Sequence, residues 1–212
     1  MHPKVKICGM KNAETIKTAI DHKVDFLGFV FYPDSPRNLT PKQAAKLTKD
    51  IPNTVYKAIK SLKDVNPDYL TIHASGGLEM MKAAKKAQSE TNKKLKILAV
   101  TILTSLTNKD LKQIGSNSSV ESQVQKLAQT AKLAKIHGIV CSAHEIKKVR
   151  KVSKNFEIVV PGIRLTNKVQ DQKRVMSPKQ ALKLGATHLV IGRDITKGNP
   201  KTNIKKVLNA LI

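Results

Sequence analysis

Two arginines follow directly on apolar, β-branched runs: Arg164 in VVPGIRL and Arg193 in VIGRDI. Only five of the 39 basic residues are arginine, so this placement stands out from a lysine background. A guanidinium at a strand end can grip a phosphate through two parallel hydrogen bonds, and Gly192 beside Arg193 lets an anion approach the backbone. A polar loop holding Gln172 follows Arg164. A hydroxyl pair, Thr104 and Ser105, closes the run LAVTILTS and either starts the next helix or faces a ligand. Cys8 ends the first apolar run and Asp50 precedes Ile-Pro-Asn-Thr54. Cys8 and Cys141 fit no metal spacing, and no metal or cofactor is expected. Cys141 reads as a small buried apolar residue, His73 as a hydrogen-bonded structural residue, and His144 as a surface residue in the first turn of a helix.

The elements that must position these groups are short apolar strands alternating with longer helical patterns. Strands are expected at 5–8, 26–31, 69–73, 96–102, 138–141, 157–160 and 188–191. They are apolar throughout, as strands covered on both faces are. Helices are expected near 12–21, 41–49, 54–63, 77–90, 119–136, 143–152, 178–184 and 200–211. Thr40-Pro41, Ser177-Pro178 and Asn199-Pro200 each supply an N-cap followed by proline at the first helical position, and the first two add glutamine in capping-box register. Repeated strand-helix alternation implies an α/β parallel sheet of (β/α)8-barrel type, read as one barrel domain over 1–212. The third strand in order has no apolar run, only LTKDIPN, so the barrel is expected to be irregular or incomplete there.

Two resemblances divide the chain. VKICGMKN (5–12) and DFLGFVFYPDSPRNLTPKQA (25–44) resemble phosphoribosylanthranilate isomerase over residues 1 to about 45. DIPNTV (50–55), IHASGGLEMM (72–81), LAVTILTSL (98–106), VCSAHE (140–145), VVPGIRL (159–165), DQKRVMSP (171–178) and VIGRDI (190–195) resemble orotidine 5′-phosphate decarboxylase over 50–212. The order suggests a gene fusion between two barrel enzymes.

The decarboxylase resemblance implies conversion of orotidine monophosphate to UMP and CO2 in pyrimidine synthesis, without a cofactor. It implies that Arg164, Gln172, Gly192 and Arg193 bind the 5′-phosphate, and that Ser105, with Thr104 beside it, meets the pyrimidine ring. It also implies a homodimer in which Asp50 and Thr54 reach the neighbouring subunit's site. The family's third strand reads Asp-x-Lys-x-x-Asp; here Asp50 fills the last position while Ala45 and Leu47 occupy the other two. The proton-donating lysine and its partner carboxylate are therefore absent from their usual places. The isomerase resemblance implies Cys8 as a general base and Arg37 near the substrate carboxylate. That family's general acid ends strand five, and KILAVTILTS carries no carboxylate.

A net charge of +24 invites a nucleic-acid reading. With 3% aromatic residues, stacking platforms are scarce, and the lysines are read as scattered over helix faces. Nucleic acid is not expected as a partner, whereas small phosphorylated anions are. No run of about 18 apolar residues suggests a membrane span, and free thiols suit a cytoplasmic location.

Overall fold

A computed structural model describes residues 4–8, 18–19, 21–22, 24–28, 52–62, 65–165 and 175–211. Seven strands are placed within them: β1 (Lys4–Cys8), β2 (Phe26–Gly28), β3 (Tyr69–His73), β4 (Lys96–Val100), β5 (Gly138–Val140), β6 (Glu157–Val160) and β7 (His188–Ile191). All pair in parallel, in the order β2-β1-β7-β6-β5-β4-β3. Chain order is kept throughout, except that β1 lies against β7, with Lys4 opposite His188 and Ile7 opposite Ile191. A doubly wound sheet reverses direction at a switch point; a cyclic order arises only when the sheet curls round on itself. The break in the cycle lies between β2 and β3, and among the described residues no strand joins them. This is the position of the third strand, incomplete as expected. Residues 29–51, including Asp50, Arg37 and the Thr40-Pro41 cap, lie outside the described residues.

The helices are α1 (Pro52–Lys60), α2 (Gly77–Thr91), α3 (Asn108–Gln113), α4 (Val120–Leu133), α5 (Ile146–Val152), α6 (Pro178–Leu184), α7 (Arg193–Thr196) and α8 (Pro200–Asn209). Their buried faces, among them Met80, Met81, Ala84, Val124, Ala128, Ile146, Val149, Ile204 and Val207, join one core with Val5, Ile7, Ile97, Ala99, Ile139, Ile158, Val160, Leu189 and Ile191. Burial of such side chains contributes about 1.5–3 kcal/mol each before entropy is charged.

Sequence caps act where expected. Ser177 accepts the Gln180 N–H at 3.4 Å, and Asn199 accepts the Thr202 N–H at 3.1 Å. The Ser177 hydroxyl also donates to Gln180 Oε1 at 2.9 Å. A reciprocal capping box forms at Thr107 and Asp110. Helix α6 ends in a Schellman turn: Gly185 has φ +107, and the Ala186 N–H returns to the Ala181 carbonyl at 3.1 Å. Helix α4 stops at Leu133, short of the expected 136, because Lys135 takes φ +56. Gly138 is required by close packing: a Cβ there would lie 2.7 Å from Leu98 Cδ2 and closer still to the Glu157 carbonyl.

Candidate active site

Parallel strands bring all their C-terminal ends to one rim. A cavity of about 300 Å³ opens there, over the ends of β4, β5 and β6. Thr104, Ser105, Leu103, Val140, Cys141 and Pro161 line it. Thr104 is buried and Ser105 exposed, so the hydroxyl pair meets one concavity from two depths. Neither residue starts a helix; Thr107 caps the one that follows. Thr101 ties the β4 end to the β5 end, its hydroxyl donating to the Val140 carbonyl at 2.9 Å. Cys141 is buried, as expected for a small apolar residue, and its thiol forms no disulfide. Leu103 is 49% exposed at the cavity edge, a large apolar side chain held in water.

The next two strand ends carry the arginines. Gly162, with φ +79, turns the chain out of β6, and Ile163 bridges to Met176. Arg164 follows; its backbone N–H donates to the Met176 carbonyl at 3.1 Å. Its guanidinium lies 3.7 Å from Asp194, both side chains being largely buried. Asp194 also accepts the Leu165 N–H at 2.7 Å. The carboxylate thus fastens the loop after β6 to the first turn of α7. Sequence reasoning passed over Asp194. Gly192 is buried and leads from β7 into α7, which begins at Arg193, itself partly exposed. Gln172 lies outside the described residues. Cys8 ends β1 opposite Gly28, and Thr54 sits in the first turn of α1; their side chains are outside the description.

Two histidine expectations part company. His144 is exposed in a single helical turn before α5, as expected. His73, expected to be a hydrogen-bonded structural residue, is exposed at the end of β3, paired through its backbone with Val100, and its side chain forms no hydrogen bond among the described residues. It occupies the strand beside the break in the cycle, where no further strand is placed among the described residues.

At the opposite rim polar side chains pair across the strands, beside a cavity of about 360 Å³ that Lys96, His137 and Glu157 help to line. Tyr69 and Lys96, at the starts of β3 and β4, both donate to Glu157 at the start of β6, the tyrosine at 2.8 Å. Buried His188, first in β7, lies 3.5 Å from the Tyr69 hydroxyl and 2.8 Å from Thr187 Oγ1. Burial and then the Glu157 hydrogen bond push the Tyr69 hydroxyl up to about 12. Burial works to raise the Glu157 carboxyl, but hydrogen bonds from Lys96 and Tyr69 outweigh it and hold it below its ordinary value. Burial depresses His188, with Glu157 pulling the other way. No group of three or more potential metal ligands occurs among the described residues. No helix among them is long and apolar enough to cross a membrane.

The whole chain superposes on a crystal structure of orotidine 5′-phosphate decarboxylase from Lactobacillus acidophilus with a TM-score of 0.74 at 26% identity, covering 100% of this chain and 99% of that one. In sequence, the orotidine 5′-phosphate decarboxylases of Wigglesworthia glossinidia brevipalpis and Ehrlichia canis (strain Jake) are 46% and 44% identical over 165 and 164 residues, each match covering 76% of this chain and 71% of the relative. The family described as orotidine 5′-phosphate decarboxylase / HUMPS matches residues 46–207, which leaves the isomerase-like stretch outside the match. With a barrel order, a rim cavity bearing paired hydroxyls and two arginine-bearing segments after adjacent strands, this match is decisive: the chain belongs to the orotidine 5′-phosphate decarboxylase / HUMPS family.

Proposed function

We propose that the mouth binds a 5′-phosphorylated pyrimidine nucleotide, with orotidine monophosphate or UMP as the ligand. The observation that carries this is the cavity over β4, β5 and β6, lined by Thr104 and Ser105. It lies on the same rim as the segments after β6 and β7 that carry Arg164, Gly192 and Arg193. The hydroxyls are placed to hydrogen-bond a pyrimidine. Arg193 and Gly192 meet the phosphate, Gln172 is a further phosphate ligand by family resemblance, and Arg164 stands behind them on Asp194. Loops after the last two strands of a parallel barrel are a frequent phosphate site.

Decarboxylation is the activity this family membership favours. It needs electrostatic stabilisation of a ring carbanion and a proton donor. Asp50 is retained, and Ala45 and Leu47 stand where an aspartate and the donating lysine belong. A second reading follows from those two residues: a barrel that binds the nucleotide without turning it over. The isomerase reading of Cys8 and Arg37 is less favoured, because no carboxylate ends the β4 segment. Asp50 and Thr54 would complete the site of a second subunit in a homodimer.

Consumption of orotidine monophosphate, followed by UV absorbance on purified protein, separates the two readings. Turnover abolished by Arg193→Ala supports decarboxylation. A flat trace together with a UMP-induced rise in melting temperature leaves the binding reading standing. Absence of both overturns the site.

A further inference from the structure

A second concavity lies at the other end of the molecule. It is an open groove of about 960 Å³ between α4, α5 and the chain segments that enter β6 and β7. Five cations line it, Lys132, Lys147, Arg150, Lys151 and Lys154, and among the described residues no carboxylate does. Four of the chain's lysines meet here, Lys132 from α4 and Lys147, Lys151 and Lys154 from α5 and the segment after it.

Two of the five cations are engaged by backbone. Lys132 Nζ donates to the Val152 carbonyl at 2.8 Å. Arg150 reaches the Gly185, Lys154 and Phe156 carbonyls at 2.7–3.2 Å. These bonds already answer the loop carbonyls that exposed cations might otherwise serve. Lys147, Lys151 and Lys154 are exposed and have no acceptor among the described residues. Their placement opposes local helix electrostatics. Lys147 is in the first turn of α5, where the helix dipole disfavours a cation, and Lys147 and Lys151 form a like-charge pair four residues apart. A bound anion would remove that repulsion.

We propose that this groove is a binding site for a compact polyphosphate chain, distinct from the nucleotide site at the mouth. Lys147, Arg150, Lys151 and Lys154 follow one another at helical spacing along α5 and just past its end, and Lys132 lines the groove from α4. Among the described residues no aromatic side chain lines it, so none of them stacks a base there. Its volume is within the range of small-ligand clefts, roughly 300–1,000 Å³. Ser153 and Asn155 add neutral hydrogen-bonding groups between the charges.

The test is a calorimetric titration of the full chain with inorganic tripolyphosphate at fixed ionic strength. The triple variant Lys147→Gln, Lys151→Gln, Lys154→Gln should weaken binding by about tenfold or more. A control triple with the same charge loss, Lys57→Gln, Lys109→Gln, Lys201→Gln, and separately Arg193→Ala, should stay within about twofold of the parent. Melting temperatures of all variants confirm folding, and Lys151→Gln alone, with a smaller loss in the same direction, replaces the triple if the triple unfolds. Equal weakening by the control triple would reduce the effect to net charge and overturn the proposal. Loss of binding in Arg193→Ala would assign the anion to the mouth. No saturable binding by the parent would also overturn it. So would a duplex oligonucleotide that depends on the same lysines and that tripolyphosphate does not displace.

Discussion

The two rims of the barrel are built on opposite principles. At the strand starts, Tyr69, Lys96, Glu157 and His188 satisfy one another across four strands and leave little unspent. At the strand ends, paired hydroxyls and an exposed leucine surround an open cavity, and the segments that follow the strands, a loop after β6 and the start of α7, carry the arginines. One rim pairs its polar side chains across strands and so contributes stability; the other sets an exposed serine and a partly exposed arginine beside an open cavity, where a ligand can reach them. Chemistry placed at loops can also change without disturbing the sheet.

That contrast can be broken experimentally. The largest expected effect is at the mouth. At a UMP concentration 100 times the dissociation constant, ligand stabilisation of the parent is about 2.7 kcal/mol, and Arg193→Ala should cancel it. A melting shift that persists would show that the ligand sits elsewhere. Next comes Glu157→Ala at the rim of strand starts. It strands Lys96 and Tyr69 and should cost about 2 kcal/mol in denaturant unfolding, with the UMP-dependent shift intact. If the UMP shift also falls, the rims are coupled and the division proposed here fails.

The third effect depends on pH. Burial holds His188 below its ordinary 6.5, so the unfolded chain binds more protons than the folded one once pH falls past that value. Its contribution is present above 6.5 and is lost as pH falls toward the folded-state value. Glu157, also depressed, adds loss in the same direction at lower pH, below its ordinary 4.5. His188→Asn should therefore flatten the upper part of the acid limb of stability against pH, measured by urea unfolding at closely spaced pH values. An unchanged limb would remove His188 from the account. The smallest effect is Ser105→Ala, expected to weaken UMP by about 1 kcal/mol through loss of one hydrogen bond, with no change in the apo melting temperature.

The sheet was readable because each strand is an uninterrupted apolar run: YLTIH and EIVV are strands at their expected limits. The run KILAVTI overshoots, since β4 ends at Val100 and Thr101 turns its hydroxyl to the neighbouring strand. Helix α3 escaped notice because NKDLKQ buries a single apolar side chain, Leu111, and presents no periodic face. Helix α7 is only four residues long, too short for any period to register. At the mouth, apolar run followed by glycine and arginine located Arg193 at a strand end. Nothing local announced that Asp194 would hold Arg164, because that contact joins residues 30 apart through the parallel β6–β7 pairing. The polar rim was equally hidden, since Tyr69, Lys96, Glu157 and His188 meet only once the sheet has curled.

Lys135 shows how little a helix stop needs to advertise itself. Its φ of +56 puts an L side chain where glycine is at ease. The strain, of order 1 kcal/mol, is carried by the fold at an exposed site. Deleting that side chain, as Lys135→Gly, would relax the junction between α4 and β5, and a gain in thermal tolerance would come from taking atoms away.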